Sequence, residues 1–362
     1  MYRIDISKIS SYNDKFNNFI MCCFKFCTEY NNQKNSNRFD IRNVYLKFTS
    51  INEKAFIEII KDSRVLRGEL ISISETIDSI KLDYLFQTEK YYEIIIGDED
   101  ISNYSCSEVL KNLFERIYES TVKTKVFLKY SEVVGLESFK TIYSGILAEY
   151  SICPYCNSVH ITTIYSKDHF LPKSKYPLLA IWLENLVISC QQCNEGLKNA
   201  DTLLPSLHPY QNNITDYFKF KYLKTDDSKL KIDVELNMSK STKEQQATDN
   251  YLKLFKIKDR ANTDLAKELE FYYKDLLREV ENECIRNRNN KLEQIKIVLE
   301  DKINSKLDSL NESEVKAVVR NTKLKIDFLT YLLESIMEHA EFIQFNINLK
   351  LGKYNIGNII YI

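Results

Sequence analysis

The hydrophobic and polar positions follow different patterns in different parts of the chain. Between residues 1 and 104, three short runs of β-type composition, RNVYLKF, ELISIS and YYEIIIG, alternate with runs of helical composition. Runs of this kind, rich in β-branched and aromatic residues, are typical of strands. The pattern therefore predicts a mixed α/β region over residues 1–104.

Residues 105–150 have the spacing of amphipathic helices. The stretch SCSEVLKNLFERIYES begins with a plausible N-cap, Ser105 or Ser107. Its predicted apolar face consists of Val109, Leu113, Ile117 and Tyr118. We expect this segment to form a helical lead-in to the residues that follow.

The chain after residue 210 begins with two alternating segments, DYFKFKYL and KLKIDVEL. Their alternation predicts a two-stranded hairpin with its turn at TDDS. From Ser241 onward the pattern is mainly helical, and the end, INLKLGKYNIGNIIYI, has strand-like composition. In the helical part, apolar positions recur every three or four residues at Leu265, Leu269, Tyr272, Leu276 and Val280.

The segment 151–210 differs in composition from both flanks. It contains all five prolines, the only tryptophan and three of the four histidines. A proline-rich, loop-rich segment needs something other than a regular helical core to hold it together. We therefore predict a separate central module, between the lead-in 105–150 and a C-terminal region 211–362.

Length and composition are those of an ordinary globular protein. The chain has 362 residues, of which 44% are hydrophobic and 28% charged, enough for about two or three domains. It contains no apolar run of about 18 residues that would predict a membrane span. The charged N-terminus does not have the pattern of a signal peptide, so we expect a cytoplasmic protein.

The charge balance limits the functions that the sequence suggests. The net charge is −1, and no segment has an overall basic balance, so a polyanion would have to meet a local patch or a partner. The sequence has no glycine-rich loop or GxxxxGK[ST] motif. We therefore expect no nucleotide hydrolysis by this chain.

Four of the nine cysteines form two C-x2-C pairs, Cys153 with Cys156 and Cys190 with Cys193, separated by 33 residues. Two such pairs are typical of a tetrahedral, four-thiolate zinc site, which stabilises a fold and leaves no position open for substrate. The alternative is four reduced thiols in the core. The remaining five cysteines are Cys22, Cys23, Cys27, Cys106 and Cys284. We expect them to be buried reduced thiols, although Cys23 and Cys27 could form a small metal site.

Residues with catalytic chemistry lie between and just after the two cysteine pairs. Asp168 offers an oxygen ligand suited to magnesium or manganese, and His169 can titrate near neutral pH as a general base. Asn194 follows the fourth cysteine directly, so a zinc ligand would fix its position for the same cation. Asn185 could brace the loop that carries His169. Each of these residues alone is also common in turns and caps.

The order C-x2-C, Asp-His, Asn, C-x2-C-Asn resembles the HNH endonuclease family, in its zinc-containing branch. The phrases DHFLPKSKYP and ENLVISCQQCNEGLK are also similar to bacterial HNH proteins, including the nuclease subunit of the Septu anti-phage system. The motif match covers about residues 150–200. The resemblance implies a ββα-metal fold, in which a hairpin and a helix hold one catalytic cation. The expected fold is therefore α+β: a central ββα-metal module with a four-cysteine zinc site, a mixed α/β N-terminal region and a mainly helical C-terminal region.

The resemblance also implies a role for each residue. His169 would be the general base and Asn185 would orient it, while Asp168 and Asn194 would bind Mg²⁺ or Mn²⁺. Cys153, Cys156, Cys190 and Cys193 would bind the structural zinc ion. The final helix would begin near Gln191 and direct Lys198 toward phosphate. The candidates for phosphate contact are Lys173, Lys175 and Lys198, each of which could also be an ordinary surface lysine.

These expectations lead to one main hypothesis and two alternatives. The main hypothesis is a metal-dependent DNA endonuclease in bacterial defence or in a mobile element. The alternatives are a zinc-stapled module that binds nucleic acid or protein without cutting, and an RNA-directed nuclease. Because an unrestrained nuclease damages its host, we expect control by a partner ATPase or by self-assembly. The amphipathic helices after Ala261 could provide that contact or could simply form an intramolecular core.

Overall fold

The computed structural model describes residues 7–99, 107–136, 139–157, 165–199, 203–224, 230–312 and 321–351. These residues form a mixed α+β structure that is mostly helical. Their buried apolar side chains form one continuous cluster that extends from Ile9 to Ile347. None of the helices in these ranges is long and apolar enough to cross a membrane.

Nine helices lie before the central module and six lie after it, within the described residues. The first nine are α1 (Ser7–Lys34), α2 (Ile41–Tyr45), α3 (Ile51–Asp62), α4 (Arg64–Ile73), α5 (Ile77–Glu89), α6 (Tyr91–Ile96), α7 (Glu108–Glu119), α8 (Lys125–Val134) and α9 (Phe139–Glu149). The other six are α10 (Thr242–Leu254), α11 (Ile257–Ala261), α12 (Asp264–Arg286), α13 (Leu292–Asn311), α14 (Thr322–Glu334) and α15 (Ile336–Lys350).

Four strands form two separate antiparallel pairs. In the central module, β1 (Ser166–His169) pairs with β2 (Leu186–Ser189), with Ser166 opposite Ser189 and His169 opposite Leu186. A π-helical segment, Gln192–Lys198, follows β2. The module thus contains two short antiparallel strands and one short helical segment after them.

The second pair is the hairpin predicted after residue 210. Strands β3 (Phe218–Lys224) and β4 (Leu230–Leu236) pair along their whole length, with Phe218 opposite Leu236. The predicted turn at TDDS lies outside the described residues. The alternation of apolar and polar positions was sufficient to predict this hairpin because each strand has one buried face.

The strands predicted in the N-terminal region are wrong, because the described part of residues 1–104 is helical. RNVYLKF overlaps α2, ELISIS overlaps α4, and YYEIIIG coincides with α6 and its cap. The buried residues of α4 are Leu66, Leu70 and Ile73, which have helical and not alternating spacing. Capping residues define the ends of these helices. The Ser63 side chain accepts a hydrogen bond from Leu66 N at the start of α4, and Gly97, with a φ of 81°, ends α6.

The helical lead-in is confirmed, although its apolar face differs from the prediction by one position. Ser107 is the N-cap of α7, and its side chain accepts a hydrogen bond from Leu110 N. Val109 is 43% exposed. The buried face of α7 consists of Leu110, Leu113, Phe114 and Ile117.

The mainly helical C-terminal region is also confirmed. On α12 the predicted positions Leu269, Leu276 and Val280 are buried, and Leu265 and Tyr272 pack against the core. The predicted strand at the C-terminal end is wrong for Ile347–Lys350, because these residues belong to α15. The rest of that predicted strand, from residue 352, lies outside the described residues.

Candidate metal centre and catalytic site

The four cysteines of the two C-x2-C pairs meet at one point in the module. Their sulfur atoms lie within 4.8 Å of one another, and all four side chains are buried. Cys153 and Cys156 lie on the turn that precedes β1, and Cys190 and Cys193 directly follow β2. The Cys190 N–H also donates to the Cys153 sulfur at 3.3 Å, which ties the two pairs together. The arrangement could hold a zinc ion.

The electrostatics of this cluster favour a bound cation. Hydrogen bonds from Cys153, Cys190 and Cys193 lower the pKa of Cys156, whereas burial raises the pKa of Cys153. Four buried thiolates this close together would repel one another and lose their hydration, so they need a cation that compensates their charge. A divalent cation allows all four sulfurs to be thiolates at once, as zinc ligation requires.

The C-terminal region contributes directly to this cluster. Arg260, at the end of α11, donates from Nη1 to the Cys193 sulfur at 3.3 Å. A tetrathiolate zinc site carries a net charge of −2, so the half-buried guanidinium of Arg260 beside it would lower the cost of burying that charge. Tyr251, on α10, donates from its hydroxyl to the Tyr155 carbonyl at 2.7 Å and holds the first cysteine turn.

The other described cysteines have no metal cluster around them. Cys22, Cys23, Cys27 and Cys284 are buried, and burial raises the pKa of Cys22 to about 11 and that of Cys27 to about 12. They belong to the core as protonated thiols, including the pair Cys23 and Cys27 for which a metal site was conceivable. Cys106 lies outside the described residues.

Asp168 lies on the face of β1 that is directed toward the π-helical segment, and it is 3% exposed. One carboxylate oxygen, Oδ2, accepts a hydrogen bond from the Tyr155 hydroxyl at 2.6 Å. The other, Oδ1, accepts from the Lys198 ammonium at 3.0 Å. Burial raises the pKa of Asp168, and Lys198 opposes that shift.

His169 lies on the opposite face of the strand, as the period of a strand requires. Its Nε2 lies 3.0 Å from the Ala180 carbonyl oxygen, and its ring packs edge-on against Tyr118 of α7 at 4.8 Å. A carbonyl only accepts, so Nε2 carries the hydrogen and Nδ1 of the neutral ring keeps a lone pair. Burial lowers the pKa of His169 to about 4, which differs from the near-neutral titration expected from the sequence.

Asn185 is fully buried and joins two parts of the loop between β1 and β2. Its Oδ1 accepts from Leu171 N at 2.7 Å, and its Nδ2 donates to Leu171 O at 3.0 Å and Leu179 O at 3.2 Å. The bonded loop contains Ala180, the residue that binds the His169 ring. Asn185 therefore fixes the loop whose Ala180 carbonyl orients the His169 ring. The role of Asn185 in catalysis stays a prediction.

Asn194 and Asp168 do not form a cation site in the described arrangement. The Asn194 side-chain amide donates to the Ser166 hydroxyl, and both oxygens of Asp168 accept from other side chains. Magnesium requires near-octahedral oxygen ligands at about 2.0–2.1 Å. The position between Asp168 and the end of the π-helical segment is filled by the Lys198 ammonium, so these residues do not fit the predicted Mg²⁺ or Mn²⁺ ion as they stand.

The lysines predicted to contact phosphate occupy three different environments. Lys198 is fully buried, so the prediction that it points toward a phosphate is wrong for the described arrangement: its charge is compensated inside the protein by Asp168. Lys173 forms an ion pair with Glu119 at the end of α7. Lys175 is exposed.

Several contacts of the site were not foreseen from the sequence. Tyr155, inside the first cysteine pair, donates a hydrogen bond to Asp168, and its position between Cys153 and Cys156 was the available signal. Tyr118 and Glu119 come from the helical lead-in, and no local pattern connects them with His169. His208 is fully buried and accepts a hydrogen bond from Tyr210 N at 3.2 Å through Nδ1. His160 lies outside the described residues.

The comparisons with known proteins give one similarity. The chain is 28% identical over 140 residues to "Protein ea31" of Escherichia phage lambda, a match that covers 34% of this chain and 43% of that protein. The chain thus matches less than half the length of this relative. No family model matches the chain, and no solved structure matches it.

Proposed function

We propose that this protein is an HNH-type endonuclease that hydrolyses DNA phosphodiester bonds, with His169 as the general base. The observation that carries the proposal is the hydrogen bond from His169 Nε2 to the Ala180 carbonyl. It directs the basic nitrogen, Nδ1, away from the loop, as proton abstraction from a water molecule requires. The order of the motifs in the sequence supports the same assignment.

The low pKa of His169 determines the protonation state of its ring at neutral pH. With a pKa of about 4 the ring is neutral at pH 7, so Nδ1 has a free lone pair for a proton, but burial also makes it a weaker base than an ordinary histidine. In the proposed reaction, Nδ1 takes a proton from water while the resulting hydroxide attacks phosphorus in line. The bond from phosphorus to the 3′ oxygen breaks, and the products are a 5′-phosphate and a 3′-hydroxyl that takes a proton from solvent.

The remaining residues support this base and do not react. Asn185 holds the loop that contains Ala180, and the four-cysteine cluster, with the proposed zinc ion, holds the end of the strand pair where Ser166 lies opposite Ser189. The two strands followed by a helical segment are compatible with the ββα-metal motif, which remains part of the proposal. No step is assigned to the expected Mg²⁺ or Mn²⁺ ion, because its proposed ligands have other partners.

The test is nicking of plasmid DNA by the zinc-loaded full chain, together with any protein that co-purifies with it, with Mg²⁺, with Mn²⁺ and with neither. We expect cutting by the wild type and a loss of at least about 100-fold in His169→Ala, the usual contribution of a general base. Lys253→Ala, an exposed change on α10, is the control for purification and folding. Cutting that survives in His169→Ala would refute the assigned base.

The alternative functions predict different results in a gel shift and with a matched RNA substrate. A zinc-stapled binding module would bind DNA or protein in a gel shift and cut neither substrate. An RNA-directed nuclease would cut an RNA of matched sequence and leave the DNA intact. The DNA preference rests on the resemblance described above, as does the role in anti-phage defence or in a mobile element.

We further propose that activity is controlled by a partner ATPase or by self-assembly in the cytoplasm. The basis is that Lys173, a proposed phosphate contact, is paired with Glu119 of the same chain, and that the net charge is −1. Co-purification with mass measurement tests this, and full activity of a strict monomer would contradict it.

A further inference from the structure

The ammonium group of Lys198 lies in the interior of the protein, beside the strand that contains Asp168 and His169. The side chain is 0% exposed, and its Nζ lies 3.0 Å from Asp168 Oδ1 and 2.8 Å from the His169 carbonyl oxygen. Lysine is almost never fully buried unless it is paired. The question is what this buried charge does at the centre of the module.

The partners of Lys198 are the kinds of atom that bind a hard metal ion. A carboxylate oxygen and a backbone carbonyl oxygen are typical ligands of magnesium, manganese and calcium. Here both direct their lone pairs at one ammonium. The second oxygen of Asp168 is occupied by the Tyr155 hydroxyl at 2.6 Å. Lys198 thus completes a network in which one negative and one positive charge balance.

We propose that Lys198 is the resident cation of this site and that it excludes a divalent metal ion from Asp168. A metal ion at Asp168 would have to displace an ammonium that has no exposed surface, and that charge would then need another partner in the interior. A divalent ion would also change a charge-balanced network into one with excess positive charge. Lys198 is therefore a positioning residue: through the His169 carbonyl it holds the strand that presents the proposed base.

The π-helical segment explains how Lys198 reaches this position. The segment Gln192–Lys198 begins at the second cysteine pair, so a zinc ion bound to Cys193 would anchor its first turn. Asn199 then leaves the segment at a φ of 48°, and its N–H donates to the Asn194 carbonyl. The wide turn places Lys198, at the last position, over Asp168. The zinc site and the ammonium are thus built on one element.

The test measures binding of Mn²⁺ to the zinc-loaded full chain by the electron paramagnetic resonance signal of free Mn²⁺. The wild type and Asp168→Asn should bind the same amount of Mn²⁺, because Asp168 is closed to it. Lys198→Ser should bind one additional Mn²⁺ per chain, and the double variant Asp168→Asn, Lys198→Ser should lose it. Zinc content and the fluorescence of Trp182, the only tryptophan, show that each variant is folded.

A matched control comes from a second partly buried pair in the described residues. Lys323 lies 2.9 Å from Asp327 within α14, and both side chains are about one-tenth exposed. Lys323→Ser should gain no Mn²⁺. An equal gain there would overturn the inference, since any buried carboxylate that loses its lysine would then bind the ion.

Two other results would also overturn the inference. One is that the wild type binds an Mn²⁺ ion that Asp168→Asn does not bind. This comparison tests whether Asp168 is closed to the ion even if Lys198→Ser does not fold. The other is a folded Lys198→Ser that gains no Mn²⁺. The role assigned to Lys198 in supporting His169 rests on the proposed function, but Mn²⁺ binding does not depend on cutting. A failure of the nuclease assay and a failure of this inference are therefore distinguishable.

Discussion

Replacement of Asn185 with alanine removes three hydrogen bonds between its side chain and the loop backbone. The Leu171 N–H loses its acceptor at 2.7 Å, and the carbonyls of Leu171 and Leu179 each lose a donor. The Tyr91 hydroxyl, 3.0 Å from Asn185 Oδ1, also loses a partner. All of these contacts belong to a side chain with no exposed surface.

The magnitude of the effect follows from these contacts. An unsatisfied buried N–H costs about 1–3 kcal/mol, and each lost hydrogen bond to a carbonyl costs about 1 kcal/mol. Asn185→Ala should therefore lower the free energy of unfolding by roughly 3–5 kcal/mol, a large part of the ~5–15 kcal/mol typical of a folded domain.

Trp182 makes this effect measurable in the relevant part of the molecule. It is the only tryptophan, and its carbonyl accepts from Asn185 N at 2.9 Å. Urea unfolding followed by its fluorescence therefore reports on this loop. The control is Asn250→Ala, which loses one side-chain hydrogen bond, to Pro205 O at 2.9 Å, and should cost about 1 kcal/mol. A loss of less than about 1 kcal/mol in Asn185→Ala would refute the account of the loop.

Three further predictions concern the zinc cluster and the buried histidines. The purified chain should contain one zinc ion, and Cys190→Ser should abolish zinc retention, measured by mass spectrometry of the metal and by a colorimetric chelator. Arg260→Ala should release zinc to a chelator about 10–100-fold more readily, whereas Lys258→Ala, on the same helix but paired with Asp233, should not change release. Burial lowers the pKa of His208 to about 3. Below about pH 6.5 the unfolded chain binds a proton at this residue that the folded chain does not, so the free energy of unfolding falls as the pH drops from 6.5 toward 3. Between pH 7 and pH 5 the wild type should lose about 2 kcal/mol more stability than His208→Gln in urea titrations, and equal losses would contradict this.

The sequence predicted those features whose signal is local or depends on fixed spacing. The hairpin of β3 and β4 has one buried face, so alternation marks it. The four-cysteine cluster was recognisable because two C-x2-C pairs bring four sulfurs together with few other requirements. The N-terminal strands failed for the opposite reason. Short, partly apolar runs of six or seven residues fit either a strand or a helix, and the caps at Asp40, Ser63 and Gly97 mark the ends of helices.

The environment of each charged side chain could not be predicted in the same way. The burial of Lys198 depends on Asp168, 30 positions away in the chain, and on a π-helical turn that no simple period reveals. Burial lowers the pKa of His169 and the Ala180 carbonyl opposes that shift, and neither the burial nor this contact has a sequence signature. Motif spacing therefore located the residues, and only tertiary packing determined their charge states.

The contacts around the site come from both flanks of the central module. Asn13 of α1 accepts from Leu183 N at 2.8 Å, next to the turn that contains Asn185. On the other side, Asn321 N donates to the carbonyl of Asn157, which directly follows the first cysteine pair, at 2.6 Å. Together with Tyr118 at His169 and Arg260 at Cys193, these contacts connect the flanking helices to the proposed base and to the metal cluster. A partner that shifts the N-terminal helices would act on the end of the strand pair that contains His169, and one that shifts the C-terminal helices would act on the end beside the cysteines. We expect a bound subunit to change the proposed activity by this route, without contacting the site.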